Sequence, residues 1–339
     1  MKKSAIVSYL IKRIALYLFT LWGAFTIAFM FFHMVPGDPI SAYVRSLEQR
    51  GRQVPDAEKL VEEYRKMMGL DGSLFEQYTR YLGNVFLRFE LGPSFIGFPT
   101  PAEKHIFLAL PWTVGLLGIA TIISWILGFL LGGIVGWRRD SIFSRVLTNL
   151  ALVISQIPAY FMALALLFIF AYTLLWLPRR GAFDASIPKG FTLEFIGSVI
   201  RYGTLPALSL VLFSMFGWLI STRSIVVSIL GEDYLVWAKA KGLPDGKILR
   251  SYVLRNAMLP QVTGLAMSLG FILNGALLVE ILFNYPGLGT LFRDTIGLLD
   301  YNTVQGIMLM SITAVLTATL LLDLLLPLID PRVAREAKG

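Results

Sequence analysis

The sequence predicts an all-α fold built from six transmembrane helices. Three observations carry that prediction. Apolar residues make up 56% of the 339 residues, and mean hydropathy is +0.68. Charged residues are 15%, against about 25% in ordinary soluble domains. The charge is also segregated: stretches 14–34, 112–137, 146–177, 204–222, 258–283 and 303–329 contain only two charged residues, Glu280 and Asp323. A soluble globule this apolar would expose adhesive patches, so the excess must face lipid. A helix needs about 20 apolar residues to cross ~30 Å of hydrocarbon. All six stretches meet that length, the fourth narrowly. A β-barrel would need alternating segments of about ten residues, which the continuous apolar runs do not resemble.

Residues 1–13 form a cytoplasmic N-terminus carrying Lys2, Lys3, Lys12 and Arg13. These resemble a signal-peptide n-region, but the apolar run after them is long. Pro36-Gly37-Asp38-Pro39 follows it, not a small-x-small cleavage site, so 14–34 reads as an uncleaved first span. Residues 35–111 read as a small extracytoplasmic helical domain. Pro55 and Asp56 start one helix and Gly69 ends it, with Leu60, Tyr64, Met67 and Met68 on one face. Leu74 to Arg88 repeats the pattern through Tyr78, Tyr81, Leu82 and Val85. Glu58, Glu62 and Glu63 read as a solvated face, with docking of a soluble partner as the alternative.

Residues 112–329 form a five-helix core. In its first helix Gly128, Gly132 and Gly136 make two overlapping G-x-x-x-G spacings, which let helices approach closely, within the subunit or against a partner. The stretch 146–177 is too long for one straight span. Pro158 divides it: a kink there is the plain reading, and the alternative has 146–157 along or through the interface with 159–177 crossing. Asn274 sits mid-span in the fifth helix, where it either bonds a neighbouring helix or lines a pathway. Glu280 lies near a span end; it reads as an acid at the outer interface or a helix end, with pathway contact as the sharper alternative. Asp323 is an acid inside a span, a functional candidate by default. Residues 330–339 are a cytoplasmic tail. His33 and His105 have no companion ligand at useful spacing and read as interface residues. The absence of cysteine excludes disulfides, thiolate metal sites and cysteine nucleophiles.

Orientation follows from basic residues in short loops. With the N-terminus inside, the cytoplasmic side carries sixteen Lys or Arg. The short outer loops 178–203 and 284–302 carry four and one. Both termini are therefore expected in the cytoplasm. The net charge of +8 is a topological signal here, and no nucleic-acid partner is expected.

The cytoplasmic segment 231–260 reads GEDYLVWAKAKGLPDGKILRSYVLRNAMLP. Glu232 and Asp233 stand where acids favour a helix start. Gly242 supplies a left-handed stop, and Pro244 prevents resumption in the same direction. A second helix is expected from about Asp245 to Ala257, with Ile248, Leu249, Tyr252 and Val253 as its apolar stripe. A plain loop between two spans needs only a handful of residues. Two helices meeting at a Gly-Leu-Pro elbow imply a docking surface.

At this segment the chain resembles the permease subunits of ATP-binding-cassette importers, in the dipeptide/oligopeptide/nickel branch. Ala238 and Gly242 fill the small-residue and glycine positions of the family's cytoplasmic EAA loop, and Leu259-Pro260 closes it. Val236 and Trp237 replace its first two letters. The spacing of 18 from Gly242 to Pro260 is longer than the general signature and resembles that of the peptide branch. Asp233-Tyr234, Ala238, Ala240-Lys241-Gly242-Leu243, Arg255 and Ala257 also match that branch. Pro36-Gly37-Asp38-Pro39, Glu280 with Tyr285-Pro286-Gly287-Leu288-Gly289, Asp300-Tyr301 and Asp330-Pro331-Arg332 resemble further family elements in family order.

The resemblance implies a type I importer permease fold in the inner (cytoplasmic) membrane. It implies no cofactor in this chain, with ATP and Mg held by two partner ATPase subunits. It further implies a second homologous permease subunit, different in chain or a second copy, and an extracytoplasmic substrate-binding protein. Glu232, Asp233, Tyr234, Ala238, Ala240, Lys241, Gly242, Leu243 and Arg255 would couple to the ATPase subunits; Asn274 and Glu280 are the pathway candidates, and the family position of Asp323 suggests a structural partner within the bundle. The chain has no G-x-x-x-x-G-K-[ST] run of its own. A secondary transporter or channel would instead use midplane ionisable groups or broken helices, and a membrane enzyme would need H-E-x-x-H, G-x-S-x-G or an acidic metal cluster. Peptides lead as substrate, with oligosaccharides or nickel chelates as alternatives.

Overall fold

The computed structural model describes residues 3–35, 37–49, 56–270 and 277–329. Helices dominate, and no strand occurs among the described residues. Among the described residues, four helices are long and apolar enough to cross a membrane, and a bent pair makes a fifth if taken as one span. The predicted fifth span runs partly through 271–276, and Asn274 lies there, outside the described residues. So do Pro36, Pro55 and 330–339.

The chain divides into two compact units: residues 1–113 with 286–339, and residues 114–285. In the first, α1 (Lys3–Met34) runs beside α14 (Tyr301–Ile329). The pair is fixed at three heights. Tyr17 Oη meets Thr317 Oγ1 at 3.0 Å, Tyr9 Oη donates to the Asp323 carbonyl at 3.1 Å, and Arg13 pairs with the Asp323 carboxylate at 2.9 Å. Asp323 is thus a structural partner, as expected.

Among the described residues, the segment after the first span holds three helices, one more than expected. α2 (Pro39–Gln49) starts with proline, whose missing N–H costs nothing at a first helical position. α3 (Ala57–Met67) begins after Asp56, whose side chain makes no capping bond. α4 (Leu74–Gly83) is closed by a reciprocal capping box between Ser73 and Glu76 and continues through one wider turn, Asn84–Arg88. Phe25, Ala28, Val85 and Leu309 share one buried cluster, so this segment packs on the spans of its own unit. Glu62 is exposed and pairs with Lys66 one turn on, as a solvated face should. α13 (Leu288–Gly297) leads to α14, whose first turn is capped by the fully buried Asp300. That carboxylate also accepts from the Ser94 hydroxyl and, at 2.9 Å, from the Phe95 N–H.

The second unit holds most of α5 (Ala102–Trp137), with α6 (Ile142–Ile154), α7 (Ala159–Leu166) and α8 (Leu193–Ile229). Gly128, Gly132 and Gly136 settle against α8 of the same chain. A Cβ on Gly132 would lie 2.5 Å from the Leu219 carbonyl oxygen and 2.8 Å from Thr222 Cβ. The glycine spacing is therefore spent within the subunit. At Pro158 the chain breaks into two helices meeting at 100°, more than a kink. Three non-helical residues precede the proline, which lacks a donor and restricts its predecessor. The second helical part ends at Thr173 after a stretch of wider turns, four residues before the expected limit. The fourth span is the reverse case. Charge placed it at 204–222, yet α8 has 37 residues, begun by Thr192 accepting from the Phe195 N–H. Glu194, Arg201 and Arg223 bound the apolar part, not the helix.

Candidate functional site

The elbow forms where α8 ends. Glu232 is extended (φ −82°, ψ 137°) and the next helix, α9 (Asp233–Ala240), begins after it without a side-chain cap. Asp233 in the first turn favours that end through the helix dipole. Termination is more elaborate. The Gly242 N–H bonds the Lys239 carbonyl at 2.9 Å and the Leu243 N–H reaches the Ala238 carbonyl at 3.4 Å. This crossed pair requires a left-handed residue between, and Gly242 has φ +72°. Pro244 then caps α10 (Asp245–Ile248) at φ −67°.

One expectation fails here. The second elbow helix does not end near Ala257. It passes through wider turns at Leu249–Leu254 into α11 (Arg255–Gly270), with Pro260 inside the helix. Proline removes one backbone donor, and membrane helices tolerate that where neighbours compensate. The elbow's second arm and the start of the predicted fifth span are therefore one helical run.

The elbow is fastened to the spans by a core of its own. Leu235, Ala238, Ile248, Val253 and Ala257 are buried with Phe129 of α5 and Val226 of α8; Tyr234, Leu243, Leu249 and Tyr252 pack around them. The sequence-selected residues divide accordingly. Ala238, 3% exposed, lets α9 approach the spans; Tyr234 and Leu243 are half-buried. Ala240 is exposed, as are Glu232, Asp233, Lys241, Gly242 and Arg255. Beside them stand Val236 and Trp237, 66% and 69% exposed. Sequence reasoning treated these two only as departures from a signature. The signal lay in the periodicity: with Leu235 and Ala238 facing inward, the two residues between them must face out.

Glu280 stands elsewhere, in α12 (Leu277–Leu282), near a helix end as expected. It is buried, 1% exposed. The neighbouring Tyr285 donates its backbone N–H to the Glu280 carbonyl at 2.8 Å. Burial, then the Glu280 charge, pushes the Tyr285 hydroxyl up to about 12. The structure does not bring Glu280 to the elbow. No group of three or more metal-ligating side chains occurs among the described residues.

Residues 128–335 match the family described as binding-protein-dependent transport system inner membrane component, and residues 6–96 match its N-terminal companion. The chain belongs to that family. Relatives of this inner membrane component match over nearly full length. The di/tripeptide transport system permease protein of Pseudomonas aeruginosa (strain UCBPP-PA14) is 31% identical over 97% of this chain and 99% of its own length. The oligopeptide transport system permease protein of Bacillus subtilis (strain 168) is 29% identical over 96% and 99%. A glutathione transport system permease protein of Pectobacterium atrosepticum is 30% identical over 96% and 98%. The family match and the apolar helices make this chain a multi-pass inner membrane permease component.

Proposed function

We propose that the chain forms half of the translocation pathway of an importer that takes up peptides delivered by an extracytoplasmic binding protein. ATP hydrolysis takes place in two separate cytoplasmic subunits, and a second homologous permease supplies the other half. The carrying observation is the elbow: an exposed face on short helices, fastened by a buried core to α5 and α8 and continuous with α11. Relatives named for di/tripeptide, oligopeptide and glutathione transport support peptides as the cargo.

The mechanism is mechanical. ATP binding closes the ATPase dimer, and a groove on each ATPase subunit holds the elbow's exposed face. Close-packed interiors transmit displacement because they deform little. The elbow core therefore carries the rigid-body movement to α5, α8 and α11 together, and the pathway alternates between outward and inward openings. Glu232, Asp233, Ala240, Lys241, Gly242 and Arg255 face the ATPase subunit; Tyr234, Ala238 and Leu243 hold the elbow to its own spans. Glu280 and Asn274 line or gate the pathway.

Gly242→Trp tests this directly. A Cβ there meets nothing within 4 Å, so the indole projects outward. The backbone cost is that of a non-glycine residue at positive φ, about 1–2 kcal/mol. The variant is expected in the membrane at near-normal levels, without co-purifying ATPase subunits and without peptide uptake in reconstituted vesicles. Normal assembly and uptake would remove the coupling role. Uptake by the single purified chain driven by an ion gradient would remove the importer reading.

A further inference from the structure

α9 has eight residues, too few to hold its own geometry in water. Leu235 and Ala238 press it onto the spans, but apolar contact has no direction and permits sliding. A directional link is present as well. Asn256 Nδ2 donates to Tyr234 Oη at 3.0 Å and to the Tyr252 carbonyl at 2.7 Å. A backbone carbonyl only accepts, so the second bond fixes which end of the amide faces α9. One Nδ2–H thereby anchors the side chain to its own helix, and the other reaches Tyr234. Asn256 lies in the first turn of α11, on the run that enters the fifth span. Tyr234 lies on α9, with its ring packed at the edge of the elbow core.

We infer that Asn256 is a positioning residue: with Tyr234 it forms a strut that sets the direction in which movement of α9 reaches the fifth span. This rests on the importer reading above. Packing keeps the elbow attached, while the strut keeps α9 and α11 moving as one body. Loss of the strut should let α9 follow the ATPase subunits without drawing the fifth span along at full stroke.

The test uses the full chain, co-expressed with its partner permease and ATPase subunits and reconstituted with the binding protein and a radiolabelled tripeptide. Tyr234→Phe deletes one oxygen and keeps the ring; Asn256→Leu keeps the side-chain volume. Each is expected to retain the ATPase subunits and thermal stability while peptide taken up per ATP hydrolysed falls roughly 3- to 10-fold. The double variant should lose no more than either single one, because both remove the same bond. A purely structural role would move stability and yield, not that ratio. Uptake per ATP within twofold of wild type in both single variants, or losses that multiply in the double variant, would overturn the strut. A wild-type chain that binds no ATPase subunit is a different result: it ends the importer reading and the strut with it.

Discussion

A single glycine decides how closely two spans approach. A Cβ at Gly132 would sit 2.5 Å from a backbone oxygen of α8, which no rotamer change can relieve. Gly132→Ala should therefore push α5 and α8 apart and cost about 1–3 kcal/mol, the usual scale of overpacking. Gly115 lies on the same helix, and a Cβ there would meet nothing within 4 Å. Gly115→Ala should be neutral or slightly stabilising, since it only removes the conformational freedom of glycine. Thermal unfolding of the two variants in detergent gives the comparison, and equal melting temperatures would contradict the tight crossing. The spacing announced a small face, but one sequence does not say which helix fills it. Asn256 was silent for a related reason: its partner Tyr234 is 22 positions away, and only folding brings a pair at that distance together.

Elements were legible where hydrophobic period and punctuation agreed. The helix-stop-helix of the elbow, the left-handed Gly242 and the break at Pro158 all stand where residue chemistry places them. Helix ends inside or beyond the bilayer were not, because charge marks the limit of the hydrocarbon and not the limit of the helix, as α8 demonstrates. α2 was missed because Pro36-Gly37-Asp38-Pro39 reads as pure exit signal, although Pro39 also suits a first helical turn. Asp38 closes that turn, accepting from the Ile40 N–H at 3.1 Å and the Ser41 hydroxyl at 2.8 Å, with Arg65 also 2.8 Å away. Partial burial pushes its pKa up. The Ser41 hydroxyl, the Ser41 and Ile40 backbone groups and Arg65 together outweigh that and hold the carboxyl below its ordinary value. A depressed folded-state pKa contributes stability that is present above the unfolded value and lost as pH falls through the folded one. Asp38→Asn keeps one acceptor oxygen for the Ile40 N–H but removes the charge that faces Arg65, and should accordingly weaken α2 at pH 7 by roughly 0.2–1 kcal/mol, the scale of a partly solvated ion pair. Hydrogen exchange across α2 measures it. The difference between wild type and variant should shrink as pH drops below about 4; a pH-independent difference would mean that the carboxylate charge is not what closes the helix.

For the whole molecule, the distribution of charge makes a statement that no single contact makes. Lysine and arginine in short loops set which side of the membrane each loop occupies, and sixteen against five argues for the elbow and both termini in the cytoplasm. The mechanism depends on that side, since an elbow on the outer face could not meet a cytoplasmic ATPase. The chain has no cysteine, so one introduced thiol reports on one position in this subunit without background from the rest of it. Lys189 and Lys247 are both exposed, the first in the loop 178–203 and the second on the elbow. Lys189→Cys should react with a membrane-impermeant maleimide on intact spheroplasts. Lys247→Cys should stay unlabelled until the membrane is opened, then react fully, with the label followed on the affinity-purified chain. The reverse pattern would turn the molecule over in the bilayer and place the elbow where no ATPase subunit could drive it. Labelling of both sites before lysis would mean that the segments between them do not cross an odd number of times, and would require the span assignment between 204 and 222 to be abandoned.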